Sequence, residues 1–401
     1  MKSFISLEEA IEILSENVRF IGIEEVSLLS GIGRILSEDI FSKIDNPPFN
    51  KSAMDGYAVI SIDTEEGKKS LKVIDQVFAG DVCKSEVKQG TAIKIMTGAP
   101  IPIGANAVIK QEDVTFKDGF IEVNKVLKAE ENICLKGEDI KEGTLLVKKG
   151  KKLDYADIGI LASSGIRTVN VYKKPRVAFI STGDEVLDLD EALIGGKIYN
   201  SNKYTILGRL AELGYEVTYV DHENDSFIGI GNKIKEASRV ADFIITTGGA
   251  SVGEKDLIKE VIDYINGEKL FWKINIKPGS AMLCSKYDEK IIVSLSGNPT
   301  AALTTFELIA KTTLEKLSGK EHIEISREKA ILTNEFKKKS PNRRFLRGTV
   351  TSDVNGQKVE ITQVKSGNGI LSSTLNSNCL IELEAGNEGV NKGDIVTIIK
   401  F

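Results

Sequence analysis

An apolar run leads directly into a loop of glycines and hydroxyl residues in the segment Asp242-Phe243-Ile244-Ile245-Thr246-Thr247-Gly248-Gly249-Ala250-Ser251-Val252-Gly253-Glu254-Lys255-Asp256. The apolar run predicts a buried strand. Small residues after it let backbone N–H groups approach a ligand closely, and a following helix would direct its N-terminal dipole at the same place. The segment therefore predicts an anion site at the carboxyl end of a strand.

The same pattern occurs twice more, at Val177-Ala178-Phe179-Ile180-Ser181-Thr182-Gly183-Asp184-Glu185 and at Ile291-Ile292-Val293-Ser294-Leu295-Ser296-Gly297-Asn298-Pro299. Strand and helix patterns alternate around all three segments, which is typical of a doubly wound α/β sheet. The predicted strands are 176–181, 216–220, 242–246, 270–274 and 291–295, and the predicted helices are 203–213, 226–239, 256–265 and 299–316. Ligands of such sheets bind outside the carboxyl ends of the strands, so the three turns are expected to line one pocket.

The rest of the chain predicts a multidomain α/β plus β protein. Short Val/Ile-rich runs at 48–137 indicate an inserted β domain, and similar runs at 320–401 indicate a C-terminal β-barrel-like domain. Helical and β patterns at 1–47 and 138–172 are interpreted as one discontinuous N-terminal domain, and 173–319 as the α/β domain. The box formed by Ser6 and Glu9 predicts a helix start.

Composition limits the class of protein. Hydrophobic residues are 41% and charged residues 28% of the 401 residues, as in globular proteins, and the net charge of -5 argues against a nucleic-acid binder. We expect a cytoplasmic protein without a membrane span, because neither a signal-peptide core nor an apolar run of about 18 residues is present. With two histidines and four scattered cysteines, a bound metal is expected to be a hard cation held by carboxylates, Mg²⁺ by default.

Acidic and basic side chains follow the predicted strand ends. Glu185, Asp225 and Asp256 could converge on a cation, although one acid alone at a helix start is more often an N-cap. Lys273 and Lys277 flank an apolar segment and could neutralise an anion, although one could simply be a surface lysine. This combination suits phosphoryl or pyrophosphate chemistry, and the sequence contains no P-loop motif.

Taken together, the motifs resemble the molybdopterin molybdenumtransferase family, which includes the bacterial MoeA proteins and the E domain of gephyrin. The resemblance rests on Asn46-Pro47-Pro48, Ser52-Ala53-Met54-Asp55-Gly56-Tyr57-Ala58, Met96-Thr97-Gly98-Ala99-Pro100, Gly137-Glu138-Asp139-Ile140, Ser181-Thr182-Gly183-Asp184-Glu185, Thr247-Gly248-Gly249-Ala250-Ser251-Val252-Gly253, Phe271-Trp272-Lys273, Ile276-Lys277-Pro278-Gly279 and Gly297-Asn298-Pro299. It implies a MoaB/MogA-like α/β domain and an enzyme that takes adenylylated molybdopterin, releases AMP in a metal-dependent step and inserts molybdate.

With the resemblance, the predicted site has three groups of residues. The predicted catalytic residues are Asp55, Glu185, Asp256, Lys273 and Lys277. The predicted substrate-binding residues are Thr97, Asp139, Thr182, Gly248, Gly249, Ser251, Gly253, Asn298, Pro299 and Arg347. The predicted ligands of Mg²⁺, or alternatively Zn²⁺, are Glu185, Asp225 and Asp256.

The resemblance also implies a homodimer and contact with the molybdopterin adenylyltransferase. Two positions depart from the family pattern, since Ser296 replaces the usual proline and Asn368 a common serine. Two alternative functions remain open from the sequence: the adenylyltransferase of the same pathway, and a non-catalytic pterin-binding scaffold. The adenylyltransferase is usually a single domain, and a pure scaffold does not need converging acids.

Overall fold

The computed structural model describes residues 1–65, 69–249, 257–354, 356–362 and 371–401. The chain forms two compact units, one of Met1–Glu24 with Tyr172–Phe401 and the other of Glu25–Val171. None of the helices within the described ranges is long and apolar enough to cross a membrane.

The first unit is built on a seven-stranded sheet. In spatial order its strands are Lys2–Ile5, Glu268–Ile274, Leu283–Tyr287, Lys290–Leu295, Phe243–Thr247, Val177–Thr182 and Val217–Glu223. All run parallel except Leu283–Tyr287, which is antiparallel to both neighbours. The helices of this unit are Leu7–Asn17, Ser201–Glu212, Phe227–Ser238, Leu257–Tyr264, Pro299–Thr305 and Lys311–Leu317, with a π-helical turn at Phe306–Ala310.

Alternate residues of the central strands face opposite cores. Phe179 and Phe243 pack with the helices Leu7–Asn17 and Ser201–Glu212, while Ile180 packs with the helices on the other face. Successive side chains of a strand point to opposite faces, so a strand covered on both sides must be apolar throughout. Helices thus cover both faces of the sheet, which confirms the predicted doubly wound α/β domain.

The predicted strands and helices of the α/β domain are all present, with ends shifted by a few residues. The sequence missed the strand Leu283–Tyr287, which a two-residue turn joins to Lys290–Leu295. The turn residues Asp288 and Glu289 have positive φ values of 48° and 60°, as in the tight turns of β-hairpins. No glycine or asparagine marks that turn, which explains the omission.

The N-terminal strand was also missed. Lys2–Ile5 pairs in parallel with Glu268–Ile274, and the helix Leu7–Asn17 begins with the predicted Ser6–Glu9 capping box. Residues 1–24 therefore fold with the α/β sheet, whereas the sequence grouped them with residues 25–47. The remaining domain boundaries stay predictions.

The C-terminal strands form a closed barrel of five strands, as predicted. These strands, in spatial order, are Arg343–Asp353, Gly356–Ile361, Glu328–Leu332, Ile395–Lys400 and Cys379–Leu383, and the last pairs again with the first. The short strand Ile276–Lys277 adds to the first of them. Two further short strands of this unit are Val186–Leu187 and Ile198–Tyr199.

The second unit contains a six-stranded sheet, which confirms the inserted β domain. Its strands in spatial order are Ala107–Lys110, Gly56–Val59, Thr91–Ile95, Lys69–Val77, Phe120–Val123 and Val114–Lys117. The predicted capped helix is Tyr155–Ser163, with Asp154 as its N-cap. The remaining strands of the chain are Ile23–Ser27, Ile40–Phe41, Lys51–Ser52, Ile133–Cys134, Leu145–Val147 and Thr168–Tyr172.

Candidate functional site

The three glycine turns meet at the carboxyl edge of the α/β sheet. Gly248 has a φ of 99°, and a Cβ there would lie 2.5 Å from the Thr182 carbonyl oxygen, so this position requires glycine. Thr182 Oγ1 donates to the Thr247 carbonyl at 3.3 Å. A Cβ on Gly297 would lie 3.6 Å from Gly248 Cα. The backbones of the three turns thus lie in contact, as the sequence predicted.

Two of the predicted substrate-binding residues begin a helix beside these turns. Asn298 Oδ1 accepts the N–H groups of Thr300 (3.0 Å) and Ala301 (3.3 Å), and Pro299 occupies the first helical position. Asn298 is therefore an N-cap whose carbonyl oxygen is already engaged. Its amide NH₂ group takes no part in the cap.

The acidic segment after the strand Val177–Thr182 folds back on its glycine. A Cβ on Gly183 would lie 2.6 Å from Glu185 Oε2, so the Glu185 carboxylate lies over this turn. Asp184 Oδ1 accepts the backbone N–H of Asp225 at 3.1 Å. The structure therefore brings the loops that carry Glu185 and Asp225 together.

The predicted metal site draws on acids from three loops, only two of which lie in the described residues. In the part of the chain that the structure describes, no group of three His, Cys, Asp or Glu side chains is placed to hold a metal ion. Asp256, the third predicted ligand, lies outside the described residues, as do Ser251, Gly253 and Asn368. The described residues alone thus do not form a complete cation site.

Lys277 lines a cavity of about 320 Å³ next to the helix Pro299–Thr305. The other polar side chains lining it are Ser280, Ser296, Asn298 and Asn342. Ser296 Oγ accepts the backbone N–H of Asn298 at 3.2 Å. One lysine with hydroxyl and amide donors suits a small oxyanion.

Lys273 is buried, with 6% of its surface exposed. Its Nζ lies 3.9 Å from the centroid of the Trp272 ring and 4.9 Å from that of Phe4. The described contacts of this ammonium group are with these aromatic rings. Aromatic faces attract cations and can hold such a group without neutralising it.

Arg347 is the largest fully buried side chain of the described residues, with 1% exposure. Its Nη2 donates to the Thr300 carbonyl at 3.3 Å, while Nε and Nη1 lack partners within the described ranges. Burial lowers the pKa of Arg347 to about 10, against the attraction of Glu307. The structure places it behind the helix that Asn298 caps, and its contact with substrate stays a prediction.

The other predicted residues lie in the second unit. Asp55 Oδ1 accepts the backbone N–H of Thr97 at 2.7 Å and the Thr97 hydroxyl at 2.9 Å. These hydrogen bonds hold the pKa of Asp55 below its usual value, which keeps the carboxylate ionised. Asp139 Oδ2 instead accepts Asn46 Nδ2 at 3.2 Å. Asp55 and Thr97 are thus brought together, whereas Asp139 contacts a different loop.

The sequence missed polar residues that support the glycine turns. Asn202 Nδ2 donates to the Gly297 carbonyl at 2.9 Å. Ser181 Oγ lies 3.0 Å from His222 Nδ1 and accepts Asn200 Nδ2 at 2.8 Å. Asn200 also caps the helix Ser201–Glu212, which a sequence pattern can indicate. The other contacts join distant elements and have no local signal.

Comparisons with known proteins cover nearly the whole chain. Family models match at residues 5–165 ("MoeA N-terminal region (domain I and II)"), 178–316 ("Probable molybdopterin binding domain") and 329–401 ("MoeA C-terminal region (domain IV)"). The chain is 36% identical over 403 residues to the molybdopterin molybdenumtransferase of Staphylococcus aureus (strain COL), covering 98% of this chain and 95% of that protein. The protein of the same name from Staphylococcus epidermidis (strain ATCC 12228) is also 36% identical, over 98% of this chain and 95% of that protein.

A solved structure shows the same architecture throughout. The molybdopterin biosynthesis MoeA protein from Pyrococcus horikoshii superposes with a TM-score of 0.85 at 33% sequence identity. The superposition covers 99% of this chain and 98% of that chain. The similarity therefore extends over every unit described above.

Proposed function

The chain belongs to the MoeA family of molybdopterin molybdenumtransferases, and from this premise we propose that it inserts molybdate into adenylylated molybdopterin with release of AMP. Its place as a transferase enzyme of molybdenum cofactor biosynthesis follows from its full-length relatives. The substrates, the residues that act on them and the metal dependence are our proposals.

One observation carries the proposal: the backbones of the three glycine turns lie in contact at a single sheet edge. Their N–H groups are the donors for the pyrophosphate of the substrate, because turns of this kind form anion-binding concavities. Thr182, Gly248 and Gly249 line this cradle, while Ser251 and Gly253, which the sequence also predicts to bind substrate, lie outside the described residues. A nucleotide-linked pterin presents such a pyrophosphate.

The lysine-lined cavity is our proposed binding site for molybdate. Lys277 supplies a positive charge at its wall, and Ser280, Ser296 and Asn342 supply polar side chains. A tetrahedral dianion needs several donors around it and one or two cations to offset its charge. The cavity is next to the helix that begins with Pro299, which also borders the glycine turns.

Glu185 is our candidate for orienting the water that cleaves the pyrophosphate. In this reaction a water oxygen bonds to one phosphorus, the bridging P–O bond breaks, AMP leaves and one proton is released. A carboxylate over the Gly183 turn can accept a hydrogen bond from that water. Lys273, Lys277 and Arg347 would offset the charge that develops on phosphate oxygens.

Mg²⁺ remains a proposal, with Zn²⁺ as the alternative. It is supported by the adjacency of the Glu185 and Asp225 loops and by the preference of Mg²⁺ for carboxylate oxygens. A bound cation of this kind neutralises charge on phosphate oxygens. Asp256 would have to supply a third ligand.

The partners are also proposals. We propose a homodimer, contact with the molybdopterin adenylyltransferase and a cytoplasmic location, without nucleic-acid or membrane binding, in line with the net charge of -5. Analytical ultracentrifugation tests the dimer, since a single species of 43.7 kDa would contradict it. The adenylyltransferase and scaffold alternatives are not favoured, because full-length relatives are molybdenumtransferases.

Direct assay tests the reaction. Purified protein is incubated with adenylylated molybdopterin, molybdate and Mg²⁺, and AMP release is followed together with transfer of the product to an apo-molybdoenzyme. We expect both, with chelation of divalent cations suppressing AMP release. Absence of AMP release with any divalent metal would overturn the proposed function.

Glu185→Gln tests the proposed role of the carboxylate. We expect AMP release to fall by a factor on the order of 100 or more, because an amide cannot accept the proton or orient the water in the same way. Glu12→Gln, on an exposed position of the helix Leu7–Asn17, is the control and should be unaffected. Near-normal turnover of Glu185→Gln would remove Glu185 from the mechanism.

A further inference from the structure

Phe4 and Lys273 form a paired backbone kink in two neighbouring parallel strands. The strands are in register at Ser3 opposite Trp272 and at Ile5 opposite Ile274, so Phe4 lies across from Lys273. Both have left-handed φ values, 55° for Phe4 and 61° for Lys273. Side chains other than glycine rarely adopt this conformation, and finding it on both sides of one register position is unusual.

The kink is held in place by a neighbouring side chain. Asn275 Nδ2 donates to the Phe4 carbonyl at 2.6 Å, and its backbone N–H donates to the Ile5 carbonyl at 2.8 Å. The bond to Phe4 joins residues 271 positions apart in the sequence. Strained backbone persists only where the surroundings enforce it, and such positions cluster at functional sites.

The kink brings two aromatic rings to the Lys273 ammonium group, and the Trp272 ring also faces Lys259, whose Nζ lies 2.8 Å from its centroid. The Phe4 and Trp272 rings meet edge to face, with centroids 6.0 Å apart. Lys273 Nζ lies within 5 Å of both centroids. Two aromatic faces compensate part of the desolvation of a buried ammonium group and leave its N–H groups available to an anion.

We propose that Phe4 is a positioning residue, which through the paired kink holds the Lys273 ammonium group against Trp272 and directs it at the substrate. The catalytic part of this inference rests on the proposed function, while the contact itself does not. Phe4 is 55% exposed and contributes little to the core, so burial alone does not account for an aromatic ring on strained backbone.

Three substitutions separate positioning from stability. Phe4→Gly removes the ring and adopts the left-handed backbone freely, Phe4→Leu keeps an apolar side chain without an aromatic face, and Phe4→Tyr keeps the ring. We expect kcat for AMP release to fall about 10-fold in the first two variants, with little change in KM, and to stay near normal in Phe4→Tyr. The thermal midpoint of Phe4→Gly should not fall.

A readout independent of the reaction measures the contact itself. Trace labelling with acetic anhydride, quantified at each lysine by mass spectrometry, should increase several-fold at Lys273 in Phe4→Gly and Phe4→Leu and remain unchanged at Lys277. Trp272 is the only tryptophan, so its fluorescence should change in the same two variants. Phe20→Leu is the matched control, because Phe20 is 50% exposed and contacts Tyr172 rather than a lysine.

The outcomes are distinguishable. The inference would be overturned if Lys273 labelling were unchanged in both Phe4→Gly and Phe4→Leu. It would also be overturned if activity and thermal midpoint fell together in Phe4→Tyr to the same extent as in Phe4→Gly. If the wild type releases no AMP, the proposed function fails, and the labelling still decides whether Phe4 holds Lys273.

Discussion

Two buried charged side chains of the first unit, Glu307 and Arg347, differ in how they are compensated. Glu307 Oε1 accepts Arg209 Nε at 2.6 Å, and its Oε2 lies 3.3 Å from Lys311 Nζ, so the carboxylate has two cationic partners. Arg347 has one hydrogen bond, to the Thr300 carbonyl, and two nitrogens without a partner among the described residues. One charge is fully paired and the other is not.

The contrast separates a buried charge that is paired inside the fold from one that is only partly paired among the described residues. Attraction to its partners offsets the desolvation cost of a paired buried ion, and removing that ion leaves the partners buried and unpaired. A buried cation with unused donors is costly unless a substrate supplies the anion. Lys273 belongs with Arg347 in this respect, since only aromatic rings face its ammonium group in the described structure.

The largest effect is expected at the paired charge. Glu307→Ala should lower the free energy of unfolding by about 3–5 kcal/mol, because Arg209 and Lys311 lose their buried partner. Chemical denaturation measures the change. The matched control is Glu212→Ala, which removes the second partner of Arg209, a carboxylate 69% exposed, and should cost less than about 0.5 kcal/mol.

If Glu307→Ala and Glu212→Ala destabilise equally, burial does not distinguish these ion pairs. The π-helical turn Phe306–Ala310 carries Glu307, so a local loss of helix in Glu307→Ala would be part of the effect.

Arg347→Met tests the partly paired charge of this comparison. We expect the free energy of unfolding to stay constant or to rise by about 1 kcal/mol, because an apolar side chain replaces an underpaired cation. AMP release should fall about 10-fold or more, because the guanidinium no longer meets the substrate anion.

The stability gain of Arg347→Met should depend on pH. Burial lowers the pKa of Arg347 to about 10 in the folded protein, below its unfolded value. The folded state therefore carries the cost of the buried cation fully below pH 10, and this cost fades as the pH rises through that value. A large fall in the free energy of unfolding of Arg347→Met at pH 7 would instead show that Arg347, like Glu307, is paired within the protein.

The smallest effect is expected at Asp55, an exposed charge held by neutral donors. Thr97→Val removes one of its two hydrogen bonds and should destabilise the protein slightly at pH 7. Because the folded pKa of Asp55 is lowered, this contribution is present above the unfolded pKa and is lost as pH falls through the folded value. The free energies of unfolding of wild type and Thr97→Val, measured by chemical denaturation at several pH values, should therefore converge as the pH falls. A difference that stays constant with pH would contradict this reasoning.

Local patterns in the sequence were enough for much of the fold. Strand and helix alternation predicted the α/β sheet because buried parallel strands are apolar throughout, and Gly248 marked a turn because only glycine tolerates its close approach to the Thr182 carbonyl. The strand Leu283–Tyr287 was missed because its turn residues, Asp288 and Glu289, are not typical of a tight hairpin.

The candidate site divides in the same way. Glu185, Lys277 and the glycine turns could be selected from the sequence, because their residue types follow strand ends of one predicted sheet. Asn202 under Gly297, Phe4 against Lys273 and Arg209 against Glu307 could not. Each of these contacts joins elements far apart in the chain, and no spacing rule links them.

The sequence alone determined the family and the reaction class, because the motifs occur in a characteristic order along the chain. It also determined which residue types make up the candidate anion site, because glycines, hydroxyls and charged residues bind anions through their own chemistry. Only the tertiary structure decided which buried charges have partners among the described residues and which do not. Pairing depends on distances of a few ångströms between side chains on separate elements, and those distances are fixed by packing rather than by any local sequence pattern.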